Sequence, residues 1–151
     1  MFKKIFILLL LSLILNSCGY MAIYKNAVEF NYKILVAEHT GDRDMRNLIN
    51  SQLEKYSEIK SDKSFIIKIN TIYQKNIIAK DATGKATDYQ IKVTSNFNIK
   101  SEVVNKIIKI NETFNVKSMD DKFEEQRYDA IIKNNIANAI VKKIILQLSR
   151  K

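Results

Sequence analysis

Residues 89–100 constrain the fold of this chain more than any other stretch. Tyr89, Ile91, Val93, Phe97 and Ile99 fall on one side of an extended chain, and Gln90, Lys92, Thr94, Asn96, Asn98 and Lys100 on the other. Side chains of a β-strand alternate between faces, so this period of two predicts a strand with one dry face and one wet face. Such a strand needs neighbours that bury the same side, and the sequence supplies them.

Val28, Phe30, Tyr32, Ile34 and Val36 alternate with Glu29, Asn31 and Lys33, which predicts a first strand over 28–36 that breaks at Thr40-Gly41-Asp42. Between Asp42 and Tyr56 the spacing of Met45, Leu48, Ile49, Leu53 and Tyr56 predicts a short amphipathic helix, with Asp42 or Thr40 available to cap it. A second strand runs from Ser64 to about Lys80, with Phe65, Ile67, Ile69 and Tyr73 on one face, and ends in the turn chemistry of Asp81-Ala82-Thr83-Gly84-Lys85. After a break near Ser101-Glu102 a fourth strand, about Val104 to Val116, turns Val104, Ile108, Ile110, Phe114 and Val116 inward. Ile107 faces the other way, which implies a bulge or a partner on both faces.

Ser118 and Asp121 have capping-box spacing ahead of a long helix whose first turn is acidic, as a helix N-terminus favours. Its apolar stripe reads Phe123, Ala130, Ile131, Ala137, Ile140, Val141, Ile144, Ile145 and Leu148. The expected fold is therefore α+β: a mixed four-stranded sheet in the order β-α-β-β-β-α, with both helices packed on one face. The β-α-β crossover favours parallel neighbours and the two short connections favour hairpins.

Ahead of this domain stands Met1-Phe2-Lys3-Lys4, an almost wholly apolar run from Ile5 to Leu15, and Leu15-Asn16-Ser17-Cys18. A spanning helix needs about 20 apolar residues, and this run is nearer half that, as in a signal peptide. The order at 15–18 is that of a lipobox, so residues 1–17 read as a lipoprotein signal peptide. Cys18, the only cysteine, then reads as the site of diacylglycerol and N-acyl (palmitate) attachment. An ordinary cleaved signal and an uncleaved anchor are the alternatives. Residues 18–27 form the acylated tether, and 28–151 a single domain. Three acyl chains hold firmly, since each buried methylene is worth ~0.8 kcal/mol. Gly19 follows the cysteine where inner-membrane retention usually has Asp, which favours the periplasmic side of the outer membrane.

Without residues 1–17 the chain keeps 23 basic and 16 acidic side chains, a net +7 that favours acidic partners or anionic lipid. An AT-rich codon bias toward Lys and Asn accounts for part of it. Nucleic acid is disfavoured by the export signal and by the lack of a concentrated basic helix. The expectation is a binding protein, not an enzyme, with no catalytic residue, no metal site and no cofactor beyond the lipid on Cys18. His39, the sole histidine, lies at a strand end without a second ligand or nucleophile at a recognisable spacing. The pairs Asp42/Asp44 and Asp120/Asp121 stand where helix starts need carboxylates. Lys80 and Lys85 flank the Gly84 loop and read either as ligands for phosphates of an acidic glycolipid or as solubility charges. The Thr94, Asn96 and Asn98 face reads either as a solvated surface or as a contact to a polar partner wall.

These segments together resemble the lipopolysaccharide-assembly lipoprotein family (LptE, also called RlpB) over nearly the whole mature chain. The resemblance is carried by Cys18-Gly19-Tyr20 with Tyr24, and by Arg43 to Leu53 with Arg46, Asn47 and Leu48. It continues through Thr83-Gly84-Lys85 to Tyr89-Gln90-Ile91, and through Phe123, Arg127-Tyr128-Asp129-Ala130 and Ala139-Ile140. The chain departs from better-known members in having no proline after the cysteine, where Met21-Ala22-Ile23 stands instead. The resemblance implies a protein that plugs the large outer-membrane β-barrel (LptD-like) inserting lipopolysaccharide, assists that barrel's assembly and binds lipopolysaccharide. The alternative is a lipid-anchored periplasmic accessory domain of another envelope transport machine.

Overall fold

The computed structural model describes residues 32–149. The signal segment, Cys18, the tether, and Val28 and Phe30 of the expected first strand lie outside the described residues. Six elements follow one another: β1 (Lys33–Gly41), α1 (Arg43–Ser57), β2 (Ser64–Lys80), β3 (Ala86–Lys100), β4 (Asn105–Lys117) and α2 (Lys122–Ser149). They build one sheet of order β1-β2-β3-β4. β1 and β2 are parallel, joined by α1, and the other two pairs are antiparallel hairpins. This is the expected β-α-β-β-β-α arrangement with a mixed sheet and both helices on one face.

The alternating residues of β2, β3 and β4 account for that one-sided core. Phe65, Ile67, Ile69, Ile91, Val93, Phe97, Ile99, Ile108, Ile110 and Val116 are all buried, and they meet Met45, Ile49 and Leu53 of α1. From α2 the core receives Ile136, Ala137, Ile140, Val141, Ile144 and Leu148. α1 starts as its sequence requires: the Asp42 carboxylate accepts a hydrogen bond from the Met45 amide at 2.9 Å, and Asp44 adds negative charge in the first turn.

Three sequence expectations need correction. β1 runs to Gly41 because a register shift between Val36 and Glu38 inserts Ala37 as a bulge; beyond it the strand continues beside β2, and the simple alternation ends. α2 starts one turn later than Ser118 suggests, since the Asp121 carboxylate takes the amides of Phe123 (2.7 Å) and Glu124 (3.3 Å). Its apolar stripe also begins later. Phe123, Ala130 and Ile131 are exposed, whereas Ile132 and Ile136, absent from the expected stripe, are buried.

The reason is the surface beneath. Lys75 of β2 points up at the first turns of α2 and is held by Glu125 (3.5 Å) and Asp129 (3.1 Å), with its ammonium over the Tyr89 ring. The inward face of α2 is thus acidic before it becomes apolar. Lys133 ties α2 to Asp44 of α1 at 2.7 Å, and Lys143 stands 2.6 Å from Glu112 of β4. That last contact is an ion pair without hydrogen-bond alignment. Ile107 lies on the uncovered face, and the β3–β4 register runs unbroken past it, so no bulge accommodates it.

Candidate functional site

Because both helices lie on one side, the other face of the sheet has no cover among the described residues. The strand registers align its outward side chains in rows: Asn70 with Asn96 and Lys109, Thr94 with Asn111, Lys92 with Thr113, and Gln90 with Asn115. Several rows are bonded across the strands. Thr94 donates to Asn111 at 2.8 Å, Gln90 to Asn115 at 3.3 Å and Asn70 to Thr40 at 2.9 Å. Opposed polar pairs of this kind stiffen a sheet surface and leave amide donors and acceptors aimed outward. Lys68, Lys92, Lys100, Lys109 and Lys117 add positive charge, of which Lys68 is paired with Glu38 at 3.0 Å.

The two loop lysines stand at the end of this sheet where β2 turns into β3. Asp81 organises the turn, its Oδ1 accepting from the Thr83 amide (2.9 Å), the Thr83 hydroxyl (2.7 Å) and the Lys85 amide (3.0 Å). Those bonds hold the Asp81 carboxyl below its usual range, the Thr83 hydroxyl contributing most. Gly84 adopts φ +85, a conformation that the turn requires and that glycine takes without strain. Lys80 and Lys85 thus flank one hairpin, and both are exposed. Lys85 pairs with Asp120 from the β4–α2 loop at 2.9 Å, which raises the ammonium pKa and lowers that of the carboxyl. Both groups are largely in water, so this pair contributes little to stability.

His39 lies in a setting that sequence spacing does not reveal. After the Ala37 bulge its ring turns toward the helix side, where Nδ1 meets Asn50 Oδ1 at 2.7 Å and Nε2 meets Thr71 Oγ1 at 2.9 Å. Thr71 in turn reaches Ser95 Oγ at 2.9 Å, and both hydroxyls are fully buried. The chain Asn50–His39–Thr71–Ser95 links α1, β1, β2 and β3 through a polar strip of the core. Burial is the largest influence on the ring and lowers its pKa. Its only sequence signal is the pair of hydroxyl residues, Thr71 and Ser95, standing at inward positions of otherwise apolar strands. An open groove beside it, between β1 and α1, is lined by Val36, Glu38, His39, Arg46 and Asn50 among others.

No family model matches the chain, and no curated protein matches it in sequence. Solved structures do. The chain is similar to rare lipoprotein B from Shewanella oneidensis, with a TM-score of 0.53 at 9% identity over 77% of this chain and 94% of that one. It is similar to a lipoprotein B from Nitrosomonas europaea, with a TM-score of 0.52 at 13% identity over 80% of this chain and 89% of that one. At these identities the likeness is one of fold, and the described domain has the fold of these lipoproteins.

Proposed function

We propose that this protein is an outer-membrane lipoprotein, acylated at Cys18, whose domain occupies the lumen of a lipopolysaccharide-inserting β-barrel, assists its assembly and binds lipopolysaccharide in transit. The observation that carries the reading is the uncovered sheet face. A plug must present a polar surface, because the interior of a large outer-membrane barrel is polar and hydrated. Rows of Asn, Gln, Thr and Lys held on a rigid sheet provide that surface, and the lipoprotein B fold and the family resemblance support it. Lys80 and Lys85 are the ligand residues of this reading: two ammonium groups on one hairpin, one of them leaving a water-exposed carboxylate for a phosphate.

Extraction of outer membranes in mild detergent, followed by purification through a tag on this chain, tests the proposal. Retention of a large β-barrel in stoichiometric amount is expected, and its absence, or retention of an inner-membrane transporter instead, overturns it. Mass spectrometry of the mature N-terminus should show a triacylated Cys18. The double variant Lys80→Glu/Lys85→Glu should weaken lipopolysaccharide binding while leaving barrel retention intact.

A further inference from the structure

We infer that, while the domain is not seated in a barrel, the end at which the chain enters β1 docks on the anionic headgroups of a membrane leaflet, with the β3–β4 turn as its apolar tip. The inference rests on the reading of Cys18 as a lipid anchor. Four facts converge on it. First, the chain enters β1 at Lys33, which pairs with Ser64 at the start of β2, so that entry point and the β3–β4 hairpin lie at one end of the sheet. Second, that hairpin closes in a tight turn, Ser101 N donating to Val104 O at 2.8 Å, which lifts Val103 to 92% exposure. Third, the uncovered face carries paired apolar side chains at this end, although Ile72, Ile77 and Ile78 are also exposed farther along β2. Leu35 and Ile66 are paired there at 39% and 47% exposure, and Ile107 is 74% exposed opposite Asn98.

Fourth, the charge at this end is net positive. Lys33, Lys60, Lys63, Lys100 and Lys106 surround the apolar residues, against Glu58, Asp62 and Glu102. An apolar tip rimmed by lysines is the chemistry that phosphate headgroups over an acyl interior recognise. Chain length limits the orientation. The 14 residues from Cys18 to Asn31 reach at most about 50 Å fully extended, less than the roughly 56 Å span of 17-residue β2. An anchored domain therefore cannot stand with its Lys80–Lys85 end on the bilayer and this end directly away from it.

Among the described residues the buried core runs from Ile34 to Leu148, so a chain of residues 19–151, without cysteine, keeps all of it and isolates docking from anchoring. Its sedimentation with vesicles containing phosphatidylglycerol should exceed that with pure phosphatidylcholine and should weaken with salt. Val103→Asp combined with Lys100→Glu changes two exposed residues and should lower binding by roughly tenfold or more. Arg127→Glu, the same charge reversal on the first turns of α2, should not. Equal binding by the double variant, no preference for anionic vesicles, or binding only to purified barrel would overturn the inference. An unmodified Cys18 in the mass spectrum would instead remove the anchor while leaving the vesicle result to stand.

Discussion

Among the described residues Gly41 and Gly84 have positive φ, at +100 and +85, and they form a matched pair for testing how tightly β1 is seated. At Gly84 a Cβ meets nothing within 4 Å. At Gly41 it would lie 2.8 Å from the carbonyl carbon and 3.0 Å from the nitrogen of Thr71, with the carbonyl oxygen closer still. That oxygen accepts the Asp42 amide at 2.9 Å, the bond by which β1 hands over to α1. Either alanine pays about 1 kcal/mol or more for a left-handed backbone, offset by the ~0.4–1 kcal/mol that alanine removes from the unfolded chain's freedom. Gly84→Ala should therefore cost no more than about 1 kcal/mol net.

Gly41→Ala adds overpacking against a backbone that cannot yield, about 1–3 kcal/mol, and strain on a hydrogen bond worth about 1 kcal/mol, for a total near 3–4 kcal/mol. With a urea slope of ~2 kcal/mol per M, the unfolding midpoint should fall by roughly 1.5–2 M for Gly41→Ala and by no more than about 0.5 M for Gly84→Ala. Circular dichroism across a urea series measures both. Equal midpoints for the two variants would refute the steric argument and with it the close approach of β1 to Thr71.

Three further outcomes follow from the buried polar strip and the α2 clamp. Thr71→Val keeps the shape but leaves His39 and Ser95 short of a partner, so it should cost about 1–3 kcal/mol in the same assay; an unchanged midpoint would show the strip to be energetically idle. Burial lowers the folded-state pKa of His39 below its ordinary 6.5, so the unfolded chain binds more protons. The stabilisation is present above that ordinary value and is lost as pH falls through the lowered one; His39→Gln, removing the sole histidine, should flatten stability between about pH 7.5 and about pH 5. Lys75→Met strips Glu125 and Asp129 of their shared cation, and hydrogen exchange should accelerate in residues 122–131 while β3 amides stay protected. Uniform acceleration across the sheet would contradict a local clamp.

Where residues of one kind recur without interruption, the fold was legible. The inward sets of β2, β3 and β4 alternate for long stretches, and α1 carries both its cap and its stripe within 15 residues. The misreadings cluster where a neighbour, not the local sequence, sets the pattern. Ala37 is an ordinary strand residue until pairing with β2 makes it a bulge, and Phe123 belongs to an apolar stripe until Lys75 draws the acidic side of α2 onto the sheet. Lys80 and Lys85 were legible as a loop pair from the turn residues between them, whereas the attachment of Lys85 to Asp120, 35 residues away, was not.

The amino-acid sequence alone determined the element types and their order, because hydrophobic period, caps and turn residues act within one or two turns of chain. It also determined that one face of the sheet is polar, since that follows from alternation. Tertiary structure decided which polar residues are buried and satisfied. Asn50, His39, Thr71 and Ser95 come from four separate elements, and only strand register and helix placement bring their hydrogen-bonding atoms within 3 Å. It likewise decided that the apolar tip, the lysines around it and the entry of the chain into β1 share one end of the molecule. Contacts between separate elements, such as those 11, 24 and 32 residues apart in the polar strip, arise from packing, and no local pattern encodes them.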